Sequence, residues 1–187
     1  MIRTCLLASV LALSILPAHG AASLYTDLYG KGCKMVEQDK GSGASTRQCD
    51  GVAGFSLLVH EARAQTSIDI VTPRGAVYPL EYWEVVTPGL SSVGRKAEWR
   101  VELRGGKAVP TALLVRLDTA SDQASGPRMK EGAIITAARI DRDGACVVYQ
   151  GNGTAKTADA SARSAVSDRA MKCLGVFSTT ARAADTD

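Results

Sequence analysis

Residues 97–104 read Ala-Glu-Trp-Arg-Val-Glu-Leu-Arg, and this stretch decides the fold. In an extended chain Ala97, Trp99, Val101 and Leu103 fall on one face, and Glu98, Arg100, Glu102 and Arg104 on the other. Successive side chains of a strand point to opposite sides, so this alternation marks a half-buried strand. Gly105-Gly106-Lys107 and a second apolar run, residues 108–117 (AVPTALLVRL), complete a β-hairpin. A two-residue turn at Gly105-Gly106 would set Arg104 opposite Lys107 and Glu102 opposite Val109. A three-residue loop sets Leu103 opposite Val109, Val101 opposite Thr111, Trp99 opposite Leu113 and Ala97 opposite Val115. Register follows the buried face, so the three-residue loop is the expectation. It leaves Leu114 on the charged face, where it needs separate cover.

Outward from this hairpin the chain reads as short strands with turn signals between them. Residues 33–38 (CKMVEQ), 54–60 (GFSLLVH) and 66–72 (TSIDIVT) are strand-like, and 39–46 (DKGSGAST) form a flexible loop. Residues 61–65 are expected to join the second and third of these as a hairpin loop. Thr72-Pro73-Arg74-Gly75 carries the residues of a type I turn. Residues 76–80 and 82–87 (YWEVVT) read as extended, with Pro79 at an edge or bend. Downstream, 118–132 lack apolar periodicity and read as a polar loop. Residues 133–140 and 145–150 flank the turn signal Asp141-Arg142-Asp143-Gly144 as another hairpin. A helix is predicted over 157–174. Thr157 can cap it, Asp159 suits its positive first turn, and Gly175 can end it. Its apolar stripe is Ala158, Ala162, Val166, Ala170 and Cys173, and Asp159–Arg163 and Asp168–Lys172 are acid-first i,i+4 pairs.

The N-terminus supplies an address. Arg3 precedes an apolar run over residues 5–16 (CLLASVLALSIL), then Pro17 and the small-residue site Ala18-His19-Gly20. This is the layout of a secretory signal peptide, and the run falls short of the roughly 20 residues a spanning helix needs. Residues 1–20 are therefore expected to be removed. Residues 21–175 would form one β-rich domain, and 176–187 a disordered tail. The formal net charge is +3, and Arg3 in the leader contributes one of those charges. So small a surplus argues against nucleic acid as a partner, because phosphate neutralisation needs clustered Lys and Arg. No later stretch is apolar enough to span a membrane.

Cys5 would leave with the leader, and Cys33, Cys49, Cys146 and Cys173 remain. An even number of cysteines in an exported chain reads as disulfides. Three pairings are possible. Cys33–Cys49 and Cys146–Cys173 are favoured because each joins near neighbours, and such loops contribute about 3 kcal/mol each on the chain-entropy model. A metal site is disfavoured, since there is no C-x-x-C pair and His60 is the one histidine outside the leader. No cofactor is expected.

Catalytic signatures are sparse. Any histidine-based nucleophile system must use His60, which reads as an exposed or edge residue beside Glu61. No G-x-S-x-G elbow, G-x-G-x-x-G turn or Walker loop occurs. Residues 81–100 draw more attention. They hold Tyr82, Trp83 and Trp99 around a Gly- and Ser-bearing loop, 87–94, followed by Arg95 and Lys96. Aromatic anchors beside basic side chains and an adaptable loop suit protein recognition, so Tyr82, Trp83, Arg95 and Lys96 are the candidate binding residues. Against that, Trp99 by its alternation, and also Trp83, read as core residues. On a strand Tyr82 and Trp83 would point opposite ways, leaving one of them exposed.

The run Y-W-x-V-V-T-x-G-x-S-S-x-G-x-K-A-E-W-R-V, here residues 82–101, resembles one in an uncharacterised family of small exported proteobacterial proteins. Residues 23–28, Cys33, Cys49, residues 54–59, Cys146 and Cys173-Leu174 extend the likeness over most of the mature chain. The resemblance implies an envelope or secreted location and carries over no catalytic residue. The expected molecule is mainly β (α+β), an antiparallel β-sandwich or small barrel with one C-terminal helix and two disulfides. Its expected role is a periplasmic or secreted, non-enzymatic binding or inhibitor module acting on another protein. An envelope structural or assembly protein is the alternative, and a carboxylate-dependent hydrolase ranks last. Oligomeric state is left open.

Overall fold

The computed structural model describes residues 21–120 and 132–175. The leader, the interior of the 118–132 loop and the tail lie outside the described residues. Ten strands build two antiparallel sheets. The first sheet contains β1 (Ala22–Asp27), β7 (Leu90–Arg104), β8 (Lys107–Ala120), β9 (Gly132–Ile140) and β10 (Ala145–Asn152), in the order β1-β7-β8-β9-β10. The second contains β2 (Cys33–Gln38), β3 (Ser45–Asp50), β4 (Ser56–Ala62), β5 (Gln65–Val71) and β6 (Val77–Pro79), in sequential order. A helical turn, α1 (Tyr82–Val85), carries the chain from the second sheet to the first, and α2 (Ala158–Ser167) packs on β8, β9 and β10. The expected mainly-β architecture with two disulfides is what forms.

One core fills the space between the sheets. Leu28, Leu57, Val59, Ile68, Ile70, Trp99, Leu113 and Leu117 are fully buried there. The Trp99 indole donates to Thr26 Oγ1 at 2.9 Å, so its one polar atom is satisfied inside the core. A second, smaller cluster lies on the outer face of the first sheet. There Ala112, Leu114, Ile135 and Ala137 meet Ala158 and Ala162 of α2. This is the cover that Leu114 requires: it points away from the main core, yet only 3% of it is exposed.

The central hairpin departs from expectation at its tip and obeys it at its base. The turn is the two-residue one, with Gly105 and Gly106 both at positive φ (57° and 75°) and Arg104 opposite Lys107. Glycine adopts that conformation without a Cβ penalty. An irregularity between Arg100 and Val101 then absorbs Thr111, restoring Trp99 opposite Leu113 and Ala97 opposite Val115. The tip is free to choose its turn because Leu103 lies beyond the core, 69% exposed.

Four other expectations are corrected. Residues 61–65 are not a loop: β4 and β5 continue to a two-residue turn at Arg63-Ala64, both at positive φ. Residues 82–87 are not a strand. Tyr82, Val85 and Val86 share one side of a helical turn and enter the core together, an i, i+3, i+4 pattern. The 87–94 loop is mostly strand, since β7 begins at Leu90, and β8 likewise continues to Ala120. Finally, the helix is shorter than 157–174. Thr157 makes no side-chain cap hydrogen bond, and the chain turns extended at Asp168. From there it runs back along β10: Arg139 donates to the Met171 carbonyl at 2.8 Å and the Leu174 amide to the Val147 carbonyl at 2.7 Å. The Cys146–Cys173 disulfide fastens this segment. The Asp159–Arg163 pair is replaced by longer-range partners, Arg116 and Glu98 respectively.

Candidate functional site

The four candidate binding residues do not converge. Tyr82 is fully buried, its hydroxyl facing that of Thr136 without a well-formed hydrogen bond, and burial raises its pKa. It is a core residue and offers no surface. Arg95 and Lys96 sit on an irregular stretch of β7, where Val93 pairs with Leu117 but Ala97 with Val115. Gly94 permits this bulge, because a Cβ there would lie 3.1 Å from the Arg116 carbonyl oxygen. Arg95 is exposed, and among the described residues its guanidinium approaches only Asp27, at 3.8 Å. Trp83, adjacent to Tyr82 on α1, turns instead onto the outer face of the second sheet.

There Trp83 meets His60, with ring centroids 6.4 Å apart and planes inclined at 59°. His60 is the middle of a hydrogen-bonded chain across three neighbouring strands. Its Nδ1 lies 3.1 Å from Thr46 Oγ1 on β3, and its Nε2 lies 2.9 Å from Asp69 Oδ2 on β5. The register dictates this: Thr46 is directly opposite His60, and His60 is opposite Ser67, so Asp69 is its diagonal neighbour on the same face. An ionised Asp69 can only accept, so Nε2 donates to it, and in the neutral imidazole Nδ1 then accepts from the Thr46 hydroxyl. The sequence gives little warning of this chain, because assembling it requires the register of two hairpins.

Order alone resembles a nucleophile–base–acid relay, yet the setting differs. Thr46 is only 9% exposed and lies in mid-sheet, with strands paired on both sides of it. What the chain does is fix the imidazole plane beneath Trp83.

Around this platform is a shallow depression of about 180 Å³, rimmed by Glu37, Asp39, Glu61 and Trp83. The Ser42 hydroxyl, helped by the amides of Gly41 and Ser42, holds the Asp39 carboxyl below the usual range. Glu61 is braced from one side by Arg47 at 2.8 Å, while Arg47 donates to the Leu28 carbonyl and stacks on Tyr29. No lysine or arginine lines the depression itself. Carboxylates beside an aromatic face favour a cation.

Two larger hollows occupy the ends of the sandwich. One, of about 580 Å³, has hydroxyl and carboxylate walls from Thr66, Ser91, Thr119, Glu61 and Asp118, and is bounded by Ala120 and Gly132, where the described residues stop. The other, of about 450 Å³, lies at the opposite end. Among the described residues no cluster of His, Cys, Asp and Glu has metal-binding geometry, and no helix is long and apolar enough to cross a membrane. No protein-family model matches this chain, and no curated protein or solved structure shows significant similarity to it.

Proposed function

We propose that this protein is an exported, non-enzymatic binding module that engages another protein through the Trp83–His60 depression. The ligand group is a lysine or arginine side chain of that partner. The observation that carries this reading is Trp83 itself. It is half-buried on the rigid Thr46–His60–Asp69 chain, and Glu37 and Asp39 stand beside it with no lysine or arginine in the lining. A cation over the indole would gain about 0.5–2 kcal/mol from the ring, and the carboxylates add to it. The two disulfides fit an oxidising compartment outside the cytoplasm, in keeping with the leader sequence.

Immobilised domain, residues 21–187, should retain a partner from an envelope extract of the source organism, with lysines or arginines of that partner protected from chemical modification in the complex. Trp83→Ala and Glu37→Lys should each lower retention by about tenfold, equivalent to roughly 1.4 kcal/mol. Undiminished retention by both variants overturns the reading.

The open side of the sandwich favours a second reading, docking in an envelope assembly. Leu24 and Tyr25 on β1, Tyr29, and Met35 and Val36 on β2 are all exposed by 41–55%. Among the described residues strand β1 pairs only with β7, in unbroken register, and its other edge is unpaired there, open to an added strand. Retention that survives Trp83→Ala but fails on Tyr25→Lys would select this reading.

A further inference from the structure

At one end of the sandwich three hairpins from both sheets lean over a single cleft of about 450 Å³. They are the β5–β6 turn with Arg74, the β9–β10 turn with Asp141 and Arg142, and the stem of the β7–β8 hairpin with Arg104. The volume falls within the roughly 300–1,000 Å³ of small-ligand sites. Its walls are apolar: Phe55, Val109, Pro110 and Ile140. Phe55 stands edge-on to Trp99 at 6.0 Å between centroids, so the floor of the cleft is continuous with the main core.

The mouth is cationic. Arg104 is oriented by Glu102, to which its Nε and Nη2 donate at 3.1 and 2.8 Å. Arg74 and Arg142 make no ion pair among the described residues; Asp141 is the one carboxylate in the lining. The Tyr78 hydroxyl donates to the Arg142 carbonyl at 3.3 Å, which ties the two sheets together at this end and sets the Arg142 turn over the opening. Two arginines without an ion pair among the described residues, Arg74 and Arg142, at the rim of an apolar slot match a particular ligand chemistry: an anionic head on an apolar body. Guanidinium binds carboxylate and phosphate through forked, charge-assisted hydrogen bonds, while the body replaces water on Phe55 and its neighbours.

We propose that this cleft binds a small amphipathic anion, an acyl or aryl chain bearing a carboxylate or phosphate head. The site is separate from the Trp83 depression and does not depend on it. Arg74 and Arg142 come from turns of different sheets, so the sequence places them far apart and only the two-sheet fold unites them. Such a ligand can reach the cleft as a free acid or as the head and first methylenes of a membrane lipid, and the two sources are separable.

The test is titration of residues 21–187 with octanoate and with octyl phosphate, followed by calorimetry and by the Trp99 indole resonance. Octanol and inorganic phosphate serve as half-ligands. Saturable binding of both amphiphiles is expected, with a shift of the Trp99 signal and not of Trp83. Each half-ligand should bind about tenfold more weakly or less, and an Arg74→Ala/Arg142→Ala variant should lose about tenfold. Both side chains are exposed, so unchanged thermal unfolding will show that the variant folds. A Trp83→Ala variant should bind as the parent does. The proposal fails if octanol binds as well as octanoate, if phosphate alone binds as well as octyl phosphate, or if the double variant keeps full affinity. It also fails if the protein sediments with anionic phosphatidylglycerol vesicles but binds neither soluble amphiphile, since that outcome assigns the arginines to a membrane surface.

Discussion

The two sheets of this molecule have five antiparallel strands each and share one core, yet their outer faces are treated differently. On the first sheet α2 lies over small residues, with Ala158 and Ala162 against Ala112 and Ala137, close enough for a charged latch beside them. Arg163 donates to both oxygens of Glu98 at 2.8 Å, and Ser23 donates to the same carboxylate at 2.6 Å. Among the described residues the outer face of the second sheet has no such helix, and its polar chain of Thr46, His60 and Asp69 ends at Trp83. Polar groups on the covered sheet close a lid, whereas on the open sheet they hold a platform in place. A charged strand face is therefore not uniformly a solvated one: Glu98, expected to face water, is 8% exposed.

The comparison breaks most completely at what the sheets share. Trp99→Ala should destabilise the domain by about 3–5 kcal/mol, read from denaturant unfolding, because it removes a fully buried indole that both sheets contact. Next in size are the disulfides. Cys146→Ser/Cys173→Ser should cost about 3.5 kcal/mol and Cys33→Ser/Cys49→Ser about 0.4 kcal/mol less, on the loop-closure argument for separations of 27 and 16 residues. The two should also differ in place: only the first should raise amide exchange along α2 and residues 168–175, because that bond pins the chain after the helix to β10. Equal exchange in both variants would mean that the small-residue helix docks without its staple.

Smaller effects sharpen the contrast. Glu98→Gln should lower stability by about 1–2 kcal/mol at neutral pH, less than for a fully buried pair because Arg163 is 39% exposed. Burial pushes the Glu98 carboxyl up, but hydrogen bonds from Arg163 and Ser23 and the charges of Arg163 and Arg100 outweigh it, leaving its pKa lowered. A lowered folded-state pKa stabilises above the unfolded value of about 4.3 and is lost as pH falls through the folded value. The difference between parent and Glu98→Gln should accordingly shrink below about pH 4. Trp83→Ala, on the open sheet, should change stability by under about 1 kcal/mol while lowering partner retention about tenfold, since its ring is only half-buried. A large stability loss there would place Trp83 in the scaffold.

The sequence makes the core face of β7 legible because alternation is a local signal. It also exposes the need for a cover on Leu114, which a charged face cannot supply. Both disulfide pairings follow from short loop spacing. The Arg63-Ala64 turn is hidden, because neither residue is a usual choice for positive φ and the sharp reversal is imposed by the register of β4 on β5. Tyr82 and Trp83 could have been read better: Tyr82, Val85 and Val86 have helical spacing, masked by their strand-forming chemistry. The polar chain at His60 and the arginine cleft have no local signature at all, since each assembles residues from three strands or three turns.

Strand β1 carries a last consequence, one of timing. It is the first strand of the domain, yet its partner is β7, and the hydrogen bond from Trp99 to Thr26 joins residues 73 apart in sequence. Strands β2 to β6 pair with sequence neighbours, as do β7 to β10. Released N-terminus first, the chain can complete the second sheet while β1 waits with both edges bare. Closing so long a loop is the slow step in a topology otherwise made of local hairpins. Thr26 and Leu28, buried once β1 has docked, stand exposed throughout that interval, so the most vulnerable moment in the life of this protein falls before its first strand finds a neighbour.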